Sequence, residues 1–173
     1  MKKFFLINII IFTIFLNTVN AEQKIVFLDM DRVVSTSNSG ISIINQLKDL
    51  SDKNLTFLNN QEKNFKEKEI KLISQKNIIS ESEFIDKADK LKKEINVLNK
   101  SRNKIITDFN KLKIENTNKL LKMINPILIK FSNDNSISFI LQKKDLIIGK
   151  KELDITDEIL KIVNNEVKTF KIK

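Results

Sequence analysis

The chain contains no cysteine, histidine, tryptophan or tyrosine, and its 173 residues include two glycines, Gly40 and Gly149, and one proline, Pro126. So little Gly and Pro excludes a turn-rich sandwich or barrel and favours long helices. The lack of thiols suits an oxidising compartment. Arginine is scarce too. Arg32 and Arg102 are the two present, so there is no Arg-rich patch with interleaved aromatics to bind nucleic acid. A long apolar run is also missing: Phe4 to Leu16 is 13 residues, too short to span a bilayer easily.

Charged residues make up 31% of the sequence and hydrophobic ones 41%. Lys2 and Lys3 precede the apolar run, and Val19-Asn20-Ala21 follows it with a small residue at the end. This pattern predicts an export signal over residues 1–21, cleaved before Glu22. An uncleaved membrane anchor is the alternative. Cleavage leaves 152 residues with a net charge of +7. Residues 41–131 alone carry +7, against −1 for 22–40 and +1 for 132–173. Negatively charged partners will therefore be drawn to the middle of the chain.

That middle is organised by one seam. Steps of four and three residues from Phe84 reach Ala88, Leu91, Ile95, Leu98, Arg102, Ile105, Phe109, Leu112, Asn116, Lys119 and Met123. The first nine of these positions are apolar except Arg102, and the intervening residues are mostly charged or amide. A heptad seam of this kind asks for a second helix lying along it at a shallow angle. The partner is the preceding segment, where Leu58, Phe65, Leu72 and Ile79 recur every seven residues, interleaved with polar Asn54, Gln61, Lys68 and Gln75. Between the two, Ser80-Glu81-Ser82-Glu83 has the capping-box spacing, with Ile79 and Phe84 placed as a staple. The turn is expected around Ile78 to Ser80. So short a connection makes the helices antiparallel neighbours, an arm on the order of 55 Å long. A compact helical domain is the competing reading.

The ends of the chain supply a different pattern. Lys24 to Leu28 reads as a strand buried on both faces, and Val33 and Val34 as a short turn of helix. Ser37 or Ser39 caps the first arm helix. Pro126 interrupts the run Met123, Ile124, Ile127, Leu128, Phe131, as either a kink at the arm root or a helix end with restart. Ser136 to Leu141 and Leu146 to Ile148 read as two further strands. Thr156 then caps a last helix with Ile159, Leu160, Val163 and Val167 on its apolar face. The expected fold is α+β: a small β-rich body (22–40 and 125–173) with a long antiparallel helical hairpin (41–124) inserted between N-terminal and C-terminal strands. A body this small, with open strand edges, would have its core completed by other subunits. Ile25, Val26, Phe27, Leu28, Phe139, Ile140, Leu141 and Ile155 are the candidate body and subunit core.

Several local sequences resemble the Skp/OmpH family of periplasmic chaperones. They are Lys24-Ile25-Val26-Phe27-Leu28-Asp29-Met30-Asp31-Arg32-Val33-Val34, then Ser37 and Ser39-Gly40, and Asn125-Pro126-Ile127-Leu128. Ile137-Ser138-Phe139-Ile140-Leu141 and Leu153-Asp154-Ile155-Thr156-Asp157-Glu158-Ile159-Leu160 complete the set. Their order and spacing carry the resemblance; no single one does. It implies a homotrimer shaped like a jellyfish, whose arms enclose a cavity. It also implies an ATP-independent holdase that shields unfolded outer-membrane β-barrel proteins in the periplasm. Some members are credited with binding lipopolysaccharide or anionic lipid, but no basic cluster here is carried over residue by residue.

Within the arm, the seam residues Leu58, Phe65, Leu72, Phe84, Leu91, Ile95, Leu98, Ile105, Phe109 and Leu112 are consumed by the contact between its helices. Client contact then falls to apolar residues on the flanks: Leu55, Ile70, Ile73, Val97, Ile106 and Ile114. Lys63, Lys66, Lys68, Lys71, Lys92, Lys93, Lys104, Lys111 and Lys113 surround them and add salt-sensitive attraction. Many weak contacts in one cavity sum to useful affinity. The alternative function is a coiled-coil scaffold or adaptor of the cell envelope, which would bind a folded partner. Asp29-Met30-Asp31 after a strand superficially resembles the aspartate pair of haloacid-dehalogenase-type phosphatases. A helical hairpin follows, however, where the parallel α/β core should be. Both residues are read as strand-end and turn residues, and no catalytic, cofactor-binding or metal-binding residue is assigned.

Overall fold

A computed structural model gives the fold of residues 23–173; the expected signal segment lies outside the described residues. Strand β1 (Lys24–Leu28) is followed by a short helix α1 (Met30–Thr36) and two long helices, α2 (Asn38–Ser74) and α3 (Glu81–Asp134). Strand β2 (Ile137–Gln142), two single 3-10 turns (Lys143–Asp145 and Lys151–Leu153) and helix α4 (Thr156–Glu166) complete the chain. β1 and β2 pair in parallel, with Ile25 opposite Phe139 and Phe27 opposite Leu141. Parallel strands need a long crossover, and here the whole α2–α3 hairpin provides it. The fold is α+β, as expected.

Capping sets the helix starts. Ser37 Oγ accepts from the Gly40 amide at 3.2 Å, so Ser37 is the cap of α2. Ser39 is buried instead and donates to the Val167 carbonyl at 2.9 Å. Gly40 is needed for close approach: a Cβ there would lie 1.6 Å from the Val34 carbonyl oxygen. Ser80 Oγ accepts from the Glu83 amide at 3.2 Å and starts α3. The carboxylate of Glu83 turns to Lys87, 2.8 Å away, rather than back to the cap. α2 ends at Ser74, so the turn spans 75–80 and begins earlier than Ile78.

Two further expectations, a third strand and the cap of the last helix, are corrected. Leu146 to Ile148 forms no strand; Ile147 is 104% exposed and Ile148 91%. Gly149 packs against the Phe27 ring there, leaving the two isoleucines directed away from the chain. The sheet therefore has two strands, extended only by an isolated bridge from Phe27 to Asp154. β1 is buried on both faces from Val26 to Leu28, while its start at Lys24 and Ile25 is exposed. Thr156 is not the cap of α4 but its first residue, buried, with Oγ1 accepting from the Asp29 amide at 2.9 Å. Of the two readings given for Pro126, the helix end with restart does not occur: α3 runs through it, with Lys122 and Pro126 both exposed, so the carbonyl deprived of a partner lies on the wet side of the helix.

The buried core sits at one end of the molecule. Val26, Leu28, Val33, Ile43, Leu47, Leu120, Ile124, Ile127, Ile137, Ile155, Ile159, Val163 and Val167 form one cluster. It therefore takes in the roots of both long helices. In α3 the buried face runs Asn116, Leu120, Ile124, Ile127, whereas strict heptad stepping places Lys119 and Met123 there; both are exposed. A straight helix of 3.6 residues per turn drifts from a 3.5-residue repeat, and near the body the packing follows the straight helix.

Candidate functional site

The arm beyond the core is a zipped pair of helices. α2 presents Leu50, Asn54, Leu58, Gln61, Phe65 and Leu72 as its half-buried face, continued by Gln75 at its C-cap. α3 answers with Phe84, Ala88, Leu91, Ile95, Leu98, Arg102, Ile105, Phe109 and Leu112. All ten seam residues named from the sequence are half-buried. Two charge pairs cross the seam, Lys68 with Glu94 at 2.6 Å and Arg102 with Glu62. The second accommodates the lone charge in the seam: Glu62 stands opposite Arg102 and pairs with it. The Lys68 hydrogen bond holds the Glu94 carboxyl below its usual range. Lys68 Nζ also lies 5.1 Å from the centre of the Phe65 ring.

The six flanking apolar residues all lie in water. Their exposures run from 52% for Ile106 to 67% for Val97, with Leu55, Ile70, Ile73 and Ile114 between. Phe57, Ile78 and Ile85 add to this surface and were not picked out by periodicity, which reports what is buried. Phe57 shares an open groove of about 450 Å3 with Gln61, Phe65, Lys90, Lys93, Glu94, Val97, Leu98 and Ser101. A more polar groove of about 320 Å3 lies nearer the tip, lined by Lys68, Lys71, Leu72, Gln75, Lys87, Lys90, Leu91 and Glu94.

All nine lysines named from the sequence are exposed. Three already have anionic partners: Lys68, Lys104 with Asp108 at 2.7 Å, and Lys111 with Glu115 at 3.8 Å. Lys63, Lys66, Lys71, Lys92, Lys93 and Lys113 make no ion pair among the described residues. Charge attraction for an outside partner would fall mainly to these six.

At the other end, Val26, Phe27, Leu28 and Ile155 are buried and Ile140 half-buried. Ile25, Phe139 and Leu141 are exposed at 43%, 55% and 42%. Alternation puts Ile25, Phe27, Phe139 and Leu141 on one face of the sheet, opposite the face of Val26 and Leu28 that meets the core. One sheet face is thus apolar and largely open. Behind it a polar chain ties three segments: Thr156 bridges the Asp29 amide and the Asp154 carboxylate, and Lys143 pairs with Asp154 at 2.7 Å. Burial pushes the Asp154 carboxyl up, but its bonds from Lys143 and Thr156 outweigh that, leaving it below the ordinary value.

Asp29 and Asp31 have structural roles. Asp29 Oδ1 accepts from the Arg32 amide at 2.9 Å and caps α1, and Asp31 is exposed in the first turn of that helix. The strand before them has a single parallel neighbour, β2, not a doubly wound core. Among the described residues no group of three or more Asp or Glu could hold a metal ion. No helix among them is long and apolar enough to cross a membrane.

The family described as outer membrane protein (OmpH-like) matches residues 24–163. Among solved structures, the OmpH-like protein of Caulobacter crescentus CB15 superposes with a TM-score of 0.81 at 14% identity. The match covers 87% of this chain and 89% of that one, and at such identity it speaks for the fold. No curated protein matches the chain.

Proposed function

The chain belongs to the OmpH/Skp-like family of periplasmic chaperones, and on that premise we propose that it is an ATP-independent holdase for unfolded outer-membrane β-barrel proteins. The observation that carries this reading is the arm surface. Six apolar side chains that no seam claims stand in water among lysines. An isolated soluble scaffold would have little use for them. An unfolded client offers apolar segments to these side chains and, where acidic, charge to the six unpaired lysines. Each contact is weak and exchangeable, so retention comes from number.

We further propose that the protein is exported through its 1–21 signal and assembles as a homotrimer. Support for assembly comes from the open apolar sheet face of Ile25, Phe139 and Leu141, and from Ile147 and Ile148 beside it. A second and third copy would cover these residues and the strand edges. Arms 41–124, rooted in the core through Ile43, Leu47, Leu120 and Ile124, would then project from one body and bound a common space. Lipopolysaccharide or anionic lipid is a further partner within the proposal, assigned to no particular residues.

The test is to dilute a urea-unfolded β-barrel protein into buffer with the purified chain and no nucleotide, and to measure oligomer mass alongside. Clear solutions at near-stoichiometric ratios and a three-copy mass are expected. Client aggregation as fast as in buffer alone would leave the scaffold reading, and a monodisperse monomer would remove the shared cavity.

A further inference from the structure

The last residues of the chain, Val167 to Ile172, leave α4 and run extended across the arm root. Phe170 and Ile172 pack against the core while Lys168, Thr169 and Lys171 stay exposed. Its inward residues Val167, Phe170 and Ile172 are spaced three and then two apart, and no strand lies beside it among the described residues. Two side chains of α2 replace the missing neighbour, Ser39 at the Val167 carbonyl and Gln46 further along. Gln46 Nε2 of α2 donates to the Phe170 carbonyl at 2.9 Å, and Gln46 Oε1 accepts from the Ile172 amide at 3.1 Å. From α3, Lys119 Nζ sits 4.1 Å from the centre of the Phe170 ring. The segment is therefore gripped by both arm helices just above the buried core.

Two features make this seat more than a packed tail. Gln46 bonds the main chain of its occupant, which every extended peptide carries, and selection then falls to the apolar side chains that pack as Phe170 and Ile172 do. The seat is also only partly filled. Where the segment begins, a cleft of about 530 Å3 remains between it and α3, lined by Met123, Pro126, Ile127, Lys130, Val167 and Lys168, with Glu166 at the edge. An incoming chain could enter there before the tail has left. The family match stops at residue 163, so the tail lies beyond the region on which membership rests.

We propose that this seat is a peptide-binding site for extended segments of unfolded protein, which the chain's own Val167–Ile172 segment occupies in cis and a client segment displaces. The occupant it fits carries apolar or aromatic residues separated by one or two polar ones, as Val167, Phe170 and Ile172 are. The proposal rests on the holdase reading for its natural occupant, but the site itself can be tested without any client. Loosening the tail should open the seat, whereas altering Gln46 should damage it. These two changes therefore act in opposite directions.

The probe is a fluorescein-labelled peptide of residues 164–173, titrated into the full chain and into its Phe170→Ala/Ile172→Ala variant. Binding to the variant should be saturable and about tenfold tighter than to the unaltered chain, because a larger fraction of seats is vacant. Adding Gln46→Leu to the variant should reverse most of that gain, and a scrambled peptide should bind weakly. Equal affinity for variant and unaltered chain, indifference to Gln46→Leu, or equal binding of the scrambled peptide would overturn the site. Should the double variant fail to fold, hydrogen exchange at the Ile172 amide of the unaltered chain decides. Excess unlabelled 164–173 peptide should speed it, and unchanged protection would overturn the proposal. Neither result bears on whether the arms suppress client aggregation.

Discussion

The two ends of the molecule are built from the same residue types and differ in what they do with them. Around the sheet, Val33, Leu120, Ile124, Ile159 and Val163 are entirely removed from water. From Lys48 to Glu115, not one side chain is fully buried. The arm is a seam one residue deep, held by half-buried leucines, isoleucines and phenylalanines and by pairs such as Lys68–Glu94. What the difference teaches is that length here does not bring a core. Two helices alone can bury only the stripe between them, so their stability per residue is low and local opening is easy. The root, where a third layer from α1, α4 and the sheet closes over the same two helices, is where the fold is anchored. A firm root with a yielding arm suits the proposed holdase role, in which clients differ in shape.

The sharpest way to break this contrast is to delete the same apolar bulk at each end. Leu120→Ala should lower the unfolding free energy by about 2–5 kcal/mol, seen as a large drop in urea midpoint. Leu98→Ala in the seam should lose about 1–2 kcal/mol, and should show mainly as faster hydrogen exchange along the arm. If both substitutions moved the midpoint equally, the contrast between root and arm would be wrong. Between these in mechanism is Thr156→Val, which removes the acceptor of the Asp29 amide and a bond to Asp154. It should cost about 1–3 kcal/mol and destabilise the body without touching arm exchange.

Acidity sharpens the comparison further. Asp154 has its pKa lowered in the folded state, so its contribution is present above the ordinary carboxylate range and is lost as pH falls through the folded value. Thermal melts down that range should show the body weakening, and less so in Lys143→Ala, where the main stabilising partner is gone. The smallest effect belongs to Arg102→Ala. An exposed pair with Glu62 is worth about 0.2–1 kcal/mol, and the change should fade in high salt. A loss that persisted at about 1 M salt would mean that Arg102 does more than pair with Glu62.

The seam was legible in the sequence because a 3.5-residue repeat leaves a pattern that composition cannot mimic. It stopped being legible at Asn116, where packing passes from one partner helix to several elements and the buried face shifts to Leu120, Ile124 and Ile127. Ser80 and Ser37 could be read as caps because their oxygens serve amides a few residues away. Thr156 could not, since its partner is Asp29, 127 residues distant. Leu146 to Ile148 looked like a strand for a simple reason: an apolar run reports hydrophobicity and not whether a neighbouring strand is available. The exposed flank residues followed by subtraction from the seam, which is why Leu55 and Val97 were found and Phe57 was missed. Nothing in the sequence marks Gln46 as the reader of the C-terminal segment, because its contact is with backbone.

The central claim is that the arm's exposed apolar side chains are what keep the client from aggregating. A single variant tests it: Leu55, Ile70, Ile73, Val97, Ile106 and Ile114 all changed to Ser, with the seam and the core left intact. Its melting curve for the body and its oligomer mass should match those of the unaltered chain. In light scattering of a urea-diluted β-barrel protein, the unaltered chain should keep the client soluble and the variant should let it aggregate. A variant that suppresses aggregation as well as the unaltered chain would contradict the account.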